Sequence, residues 1–129
     1  IEKLEQDRRL IESSMQEWAG RMDTSSGYIL QEDWLNEKSD LQYFFRSDHV
    51  YTVYKKKDIH VIILGQVLQT ADEKGFQLRF EAGFFNGFSL PSPLFEELIG
   101  FHIPQSQIEK ALGKPADYIE QANGKLILR

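Results

Sequence analysis

Apolar residues at helical spacing begin the chain. Within residues 1–22, successive members of one stripe lie three or four positions apart: Ile1, Leu4, Arg8, Ile11, Met15, Trp18 and Met22. This spacing places them on one face of a helix. Gly20 and the turn-forming residues 23–27 favour a helix end near residue 22. The pattern therefore predicts a long N-terminal helix over 1–22.

A strand pattern replaces the helical one after residue 27. Aromatic and β-branched residues predict successive strands, separated by short polar turns, over 28–35, 41–46, 50–54, 59–70 and 76–81. The run Val61-Ile62-Ile63-Leu64 is apolar enough to be buried on both faces, and Gly65 within the same strand indicates a bulge or a bend. Strands joined in this way form an antiparallel meander.

Glycine and proline divide the rest of the chain into short elements. Asn86-Gly87 is typical of a type I′ hairpin turn, and Pro93 favours a short helix through Ile99 that is closed by Gly100. Ser106 and Glu109 have the spacing of a capping box for a helix over 107–112. Gly113 would end this helix, and a hairpin around Asn123-Gly124 would follow.

The predicted fold is a single α+β domain over residues 1–129. A long N-terminal helix packs on a four- to six-stranded antiparallel β-meander, with one or two short C-terminal helices. The helix occupies 1–22 and the sheet 28–90, while the short helices and the terminal hairpin occupy 93–129.

Charge and composition narrow the classes of partner. The 129 residues carry a net charge of −5, and 41% are hydrophobic, which is sufficient for one core. This charge repels nucleic acid, so no nucleic-acid partner is predicted. Lys55-Lys56-Lys57 beside Tyr51 and Tyr54 could hold an acidic partner or nucleic acid, but a solvated hairpin tip that discourages edge pairing is the favoured interpretation.

Catalytic and cofactor motifs are absent from the sequence. It contains no G-x-S-x-G, P-loop or dinucleotide-binding pattern and no cysteine. His49, His60 and His102 lack the spacing of metal ligands. We therefore predict no catalytic residue, no metal site and no cofactor, and the protein is expected not to be an enzyme.

The segment 103–128 resembles part of the SmpA/OmlA-like lipoproteins and the β-lactamase-inhibitor-protein-like domains. The residues that carry the resemblance precede a hairpin: Ser106, Ile108, Leu112, Gly113, Lys114 and Pro115. The resemblance covers about a fifth of the chain and implies a protein-binding domain outside the cytoplasm.

The segment 34–80 is similar to the lipocalin-like meanders of secreted bacterial proteins. The likeness depends on the aromatic, turn and bulge residues Trp34, Phe44, Phe45, Asp48, Tyr51 and Gly65. It provides an alternative function, a carrier that holds an apolar ligand in a curved sheet lined by Phe44, Tyr51, Ile63 and Phe80. A second alternative is an enzyme whose site is assembled from scattered residues.

The leading expectation is a non-enzymatic protein-interaction or scaffolding domain with a protein partner or self-association. Two candidate contact sites are predicted: a hairpin tip with Phe85, Asn86, Phe88 and Leu90, and the helical stripe with Met15, Trp18 and Met22. For the stripe, packing against the sheet is the favoured alternative. For the phenylalanine-rich segment 84–95, which contains the hairpin tip, the alternative is a cover over the end of the sheet.

The localisation expected is extracytoplasmic or membrane-anchored in a bacterium, with the cytoplasm as the alternative. Ile1 stands already within the helical pattern, which suggests an upstream signal, anchor or domain. Contact with a membrane is expected only through such an anchor.

Overall fold

A computed structural model describes residues 2–95 and 99–129, and the side chains of 5–93 and 100–129. The first element is helix α1 (Glu2–Arg21), which confirms the predicted N-terminal helix. A 3-10 turn (Thr24–Ser26) follows it, and the Asp23 side chain accepts a hydrogen bond from the Ser25 amide at 3.0 Å. This bond satisfies an amide that the short turn leaves without a backbone partner.

Short helices and strands make up the remainder of the described chain. In order they are β1 (Tyr28–Gln31), α2 (Glu32–Glu37), β2 (Gln42–Phe45), β3 (Val50–Lys56), β4 (Ile59–Gln69), β5 (Gly75–Phe85), β6 (Phe88–Ser89), α3 (Ser92–Phe95), β7 (Ile99–Pro104), α4 (Gln105–Leu112), β8 (Ile119–Ala122) and β9 (Lys125–Leu128).

The larger sheet is the predicted antiparallel meander. Its strands follow the order β2-β3-β4-β5-β6, and β7 also pairs with β5. All of these pairings are antiparallel. Together with α1 and α4, the meander confirms the predicted α+β class.

The bulge predicted at Gly65 is present between β4 and β5. Leu64 is paired with Ala82 and Gly65 with Phe80, so Glu81 has no partner across the pair. An extra residue on one strand increases its local twist and redirects its side chain. A Cβ on Gly65 would lie 2.5 Å from the carbonyl oxygen of Arg79, so glycine permits the two backbones to approach closely here.

The sheet formed by β1, β9 and β8 was not predicted, although its hairpin was. Lys125–Leu128 pairs with Ile119–Ala122 around Asn123-Gly124, as expected, but β9 also pairs with β1 on its other side. Tyr28 opposes Leu128 and Leu30 opposes Leu126, which joins distant parts of the sequence. Alternation along a single strand does not identify such a partner.

The predicted strand 28–35 is wrong after residue 31. Glu32 and Asp33 form the first turn of α2, where acidic side chains favour the positive end of the helix dipole. Trp34 therefore lies on a helix, and its ring stacks on Trp18 with centroids 6.1 Å apart.

The structure corrects two boundaries after residue 90. Gly100 belongs to strand β7 rather than to a helix end, since β7 pairs with β5 on both sides of it, at Gln77–His102 and Arg79–Ile99. Of the helix expected from Pro93 to Ile99, the structure has Ser92–Phe95, and 96–98 lie outside the described residues.

The predicted capping box is also wrong, since α4 begins at Gln105 after Pro104 and has no side-chain cap. Ser106 and Glu109 lie within the helix. The Gln105 side chain instead bonds both backbone groups of Ala116, at 3.0 and 2.6 Å. The predicted stop at Gly113 is confirmed by its φ of 79°.

One hydrophobic core lies between the inner face of the larger sheet, the smaller sheet and the helices. Its fully buried large side chains come from all of these elements and include Trp18, Tyr28, Phe45, Phe76, Phe101 and Ile108. Helices α1, α2 and α4 therefore pack on one face of the meander, and its other face is called the outer face below.

Side chains satisfy the free edge of β2. Asn36 accepts from the Tyr43 amide at 2.6 Å and donates to its carbonyl at 3.1 Å. Glu32 accepts from the Phe45 amide at 3.1 Å, and the Gly124 amide donates to the Phe45 carbonyl at 3.0 Å. These bonds occupy the groups with which an added strand would pair.

Candidate interaction surface

The outer face can be identified from the register of β3 and β4. Thr52 and Ile63 are paired and buried in the core. Successive side chains of a strand point to opposite faces, so their neighbours Val53 and Ile62 point away from the core.

Two rows of apolar side chains cross this face. The pairings of adjacent strands place Phe44, Tyr51, Leu64 and Ala82 in one row, and Val53, Ile62 and Phe84 in the next. Ile62 is 43% exposed, and the other six are half-buried. We call these seven residues the outer apolar patch.

The patch corrects one expectation about the Val61–Leu64 run. The run was expected to be buried on both faces, yet Ile62 is exposed and Leu64 is only half-buried. The sequence correctly indicates an apolar second face. It does not show whether this face is covered by the same chain.

A polar group borders the patch at the bulge. His49 Nδ1 lies 3.5 Å from Asp48 Oδ2, and His49 Nε2 lies 3.3 Å from Glu81 Oε2. The Tyr51 hydroxyl donates to Asp48 at 3.1 Å. The bulge makes this grouping possible because it directs Glu81 towards the outer face.

These contacts shift two pKa values. Burial acts to raise the pKa of Asp48, but hydrogen bonds from backbone amides, Tyr51 and His49 together hold it below its usual value. The bond that Tyr51 donates to this carboxylate raises the pKa of the tyrosine. Asp48 is therefore held as a carboxylate at the edge of the patch at neutral pH.

Cationic side chains border the patch on other sides. The Arg46 guanidinium lies 5.5 Å from the centre of the Phe44 ring, and its Nη1 is 3.2 Å from Glu32. Lys55 follows Tyr51 and Val53 at every second position of β3, so it points to the outer face. Arg79 lies on the same face, because it is paired with Gln66, two residues after Leu64 on β4.

The hairpin tip lies where the sequence predicts. Asn86 and Gly87 have φ values of 48° and 85°, as a type I′ turn requires. Phe88 is 76% exposed and Phe85 43% exposed, whereas Leu90 is half-buried. The tip is therefore exposed at Phe85 and Phe88, and its role as a contact site stays a prediction.

The helical stripe does not form an exposed contact site. Met15 and Trp18 are fully buried, and the half-buried Met22 packs against the same core. Proposing Met15 and Trp18 as contact residues was wrong, because the structure has the alternative arrangement in which this face of α1 packs on the rest of the domain.

The four residues suggested for an apolar carrier do not share a surface. Phe44 and Tyr51 lie on the outer face, whereas Ile63 and Phe80 lie in the core on the opposite side. The three described cavities, of about 250, 200 and 270 Å³, are lined by other residues. The largest is bordered by Ser47, Asp48 and Gln121 among others and is mainly polar.

Within residues 2–95 and 99–129, no three His, Asp or Glu side chains are grouped so that they could hold a metal ion. In the same described part of the chain, no helix is sufficiently long and apolar to cross a membrane.

Comparison with known proteins gives no relative. No protein-family model, curated protein or solved structure matches this chain.

Proposed function

We propose that this chain is a non-enzymatic protein-interaction domain and that the outer apolar patch is its contact surface. The proposal depends on one observation: β3 and β4 are apolar on both faces, and among the described residues only one of these faces belongs to the hydrophobic core. A contiguous apolar patch on the surface of a folded domain is typical of a site that binds another protein.

The borders of the patch favour a partner with acidic flanks. Lys55 and Arg79 provide positive charge, and Arg46 adds a guanidinium that lies beside the Glu32 carboxylate. The carboxylates of Asp48 and Glu81 are in contact with His49. The chain as a whole carries −5, so this face is locally less negative than the molecule. We infer an amphipathic segment with an apolar side and acidic residues beside it.

The closed edge of β2 supports binding through the face. Asn36, Glu32 and Gly124 occupy the edge groups of Tyr43 and Phe45. A partner strand would have to displace these bonds, whereas side chains on the outer face are accessible without any rearrangement.

The arrangement around His49 suits a polar border of the patch better than catalysis. Each ring nitrogen faces a carboxylate, so neither is directed at a substrate. An extracytoplasmic location, inferred from the SmpA/OmlA resemblance, stays a prediction.

The proposal is tested by photo-crosslinking in the cells that produce the protein, with a photo-reactive amino acid at position 62. Position 10 is the matched control, because Leu10 is 46% exposed but lies on α1 away from the patch. We expect a crosslinked protein from position 62 only. With that partner purified, Ile62→Asp should weaken binding about thirtyfold, as for an interface residue worth about 2 kcal/mol.

Equal crosslinking from both positions, or none from position 62, would contradict the proposal. A crosslink between two copies through position 62 would replace the acidic partner by a second copy of this chain. Circular dichroism of Ile62→Asp shows whether lost binding reflects lost folding.

A further inference from the structure

Two hairpin tips lie side by side at one end of the larger sheet. The β3–β4 tip turns at Lys57, which has a φ of 51°, and the β5–β6 tip turns at Asn86 and Gly87. The Asn86 amide donates to the His60 carbonyl, and the His60 amide donates to Asn86 Oδ1, both at 2.7 Å. These bonds join the two tips into one unit, which we call the sheet tip.

Large apolar side chains extend from the sheet tip into solvent. Ile59 is 42% exposed and Phe85 43%, and Phe88, which pairs with Phe85, is 76% exposed. Phe85 opposes Val61 and therefore lies on the same side of the sheet as the core. Ile59, Phe85 and Phe88 stay exposed all the same, so packing against the described residues does not account for them.

The sheet tip is also locally basic. Lys55, Lys56 and Lys57 are exposed there against the single carboxylate of Asp58, in a chain with a net charge of −5. Apolar anchors beside a cluster of lysines on a projecting tip have the composition of an interfacial membrane contact.

We propose that the sheet tip binds the surface of an anionic phospholipid membrane. Phe88 and Phe85 would enter the boundary between headgroups and acyl chains, and the lysines would lie among the phosphates. A planar surface can contact both tips at once and can receive phenylalanines that project from a turn. These features favour a lipid surface over an acidic polypeptide.

This contact differs from the membrane anchor expected from the sequence, because it uses residues of the folded domain itself. It shares Lys55 with the border of the outer apolar patch but leaves the seven residues of the patch free, since Ile62 and its row are not part of the tip. The domain could then present that patch to a partner while it rests on a membrane.

Vesicle sedimentation with the whole chain tests the proposal. Vesicles contain either equal parts of phosphatidylcholine and phosphatidylserine, or phosphatidylcholine alone. We expect the protein to sediment with the anionic vesicles and to be released by salt. Each lysine near such a surface contributes about fivefold to binding, so Lys55, Lys56 and Lys57 replaced together by Gln should weaken it about a hundredfold.

Matched variants separate the sheet tip from general effects. The control variant replaces three exposed lysines outside the sheet tip by Gln: Lys74, Lys110 and Lys125. Its net charge equals that of the tip variant, and it should bind the anionic vesicles much more tightly. Phe88→Ser should weaken binding about tenfold or more, whereas Leu10→Ser, at another exposed apolar residue, should not.

Three results would overturn the proposal. One is the absence of sedimentation with anionic vesicles, which would leave the lysines as a solvated tip that discourages edge pairing. Another is an equal loss of vesicle binding in the tip lysine variant and in the control lysine variant. The third is unchanged binding by Phe88→Ser, which would show that the phenylalanine does not enter the membrane.

Discussion

At the residue scale, Asn86 combines two properties that its turn requires. It adopts a left-handed backbone conformation with φ 48°, and its side chain accepts the His60 amide at 2.7 Å. Asparagine is favoured among non-glycine residues in this conformation. The Asn-Gly pattern predicts the turn, but the bond to a different strand is visible only in the fold.

Asn86→Ala and Asn86→Gly separate these two properties. Glycine keeps the backbone conformation and loses the hydrogen bond, which should reduce the free energy of unfolding by about 1 kcal/mol. Alanine loses the bond and adds left-handed strain of about 1 kcal/mol, so it should be the less stable variant. Urea denaturation measures both. Equal stability of the two variants would show that the backbone conformation costs nothing here.

At the element scale, the bulge between β4 and β5 connects the fold to the candidate surface. Gly65 permits close approach to the Arg79 carbonyl, and Glu81, without a cross-strand partner, meets His49 on the outer face. A glycine within an apolar strand predicted the bulge. The residue that the bulge would turn outward depends on the pairing register, which the sequence of one strand does not contain.

Gly65→Ala should destabilise the protein by about 1–3 kcal/mol, because the new methyl group would lie 2.5 Å from a backbone oxygen that cannot move freely. Gly20→Ala is the control, since nothing lies within 4 Å of the added carbon and alanine favours the helix. In thermal unfolding, the melting temperature of Gly65→Ala should lie below that of the wild type and the melting temperature of Gly20→Ala above it. A neutral Gly65→Ala would show that the strand pair adjusts without cost.

How much the sequence predicts differs from element to element. Helix α1, the strands of the meander and both Asn-Gly hairpins were predicted because their signals are local. Met15 and Trp18 were placed in an interface because a heptad stripe has the same spacing whether it faces a partner or its own sheet. Strand β7 and the pairing of β1 with β9 were missed because both depend on distant partners.

At the scale of the whole molecule, the two sheets share a core that contains tyrosines. Burial raises the pKa of Tyr28 to about 12, and burial followed by the charge of Asp7 raises that of Tyr43. The Tyr28 hydroxyl has no hydrogen-bond partner among the described residues. Ionisation of this hydroxyl is therefore easier in the unfolded chain than in the folded one.

Stability should consequently fall in alkali. Below pH 10.0, the ordinary pKa of tyrosine, Tyr28 is neutral in the folded and the unfolded chain, so its contribution to the free energy of unfolding is fully present. Between pH 10.0 and about 12, the unfolded chain ionises first and this contribution is lost. Tyr28→Phe should reduce this loss by about 1.4 kcal/mol per pH unit within that window. At neutral pH it should be at least as stable as the wild type, because no described bond is lost.

Tyr118→Phe is the control for alkaline unfolding, since Tyr118 is exposed. Chemical denaturation at a series of pH values measures both variants. An alkaline loss in Tyr28→Phe that equals that of the wild type would contradict the assignment.

The pairing of β1 with β9 has a consequence for synthesis on the ribosome. Tyr28 and Leu30 emerge early, but their partners Leu128 and Leu126 are added about a hundred residues later. Until then, the buried face of β1 has no strand beside it, and closing so long a loop slows folding. The nascent chain therefore exposes these core residues while the intervening residues are added, and a chaperone that holds residues 28–31 would act before β9 is available.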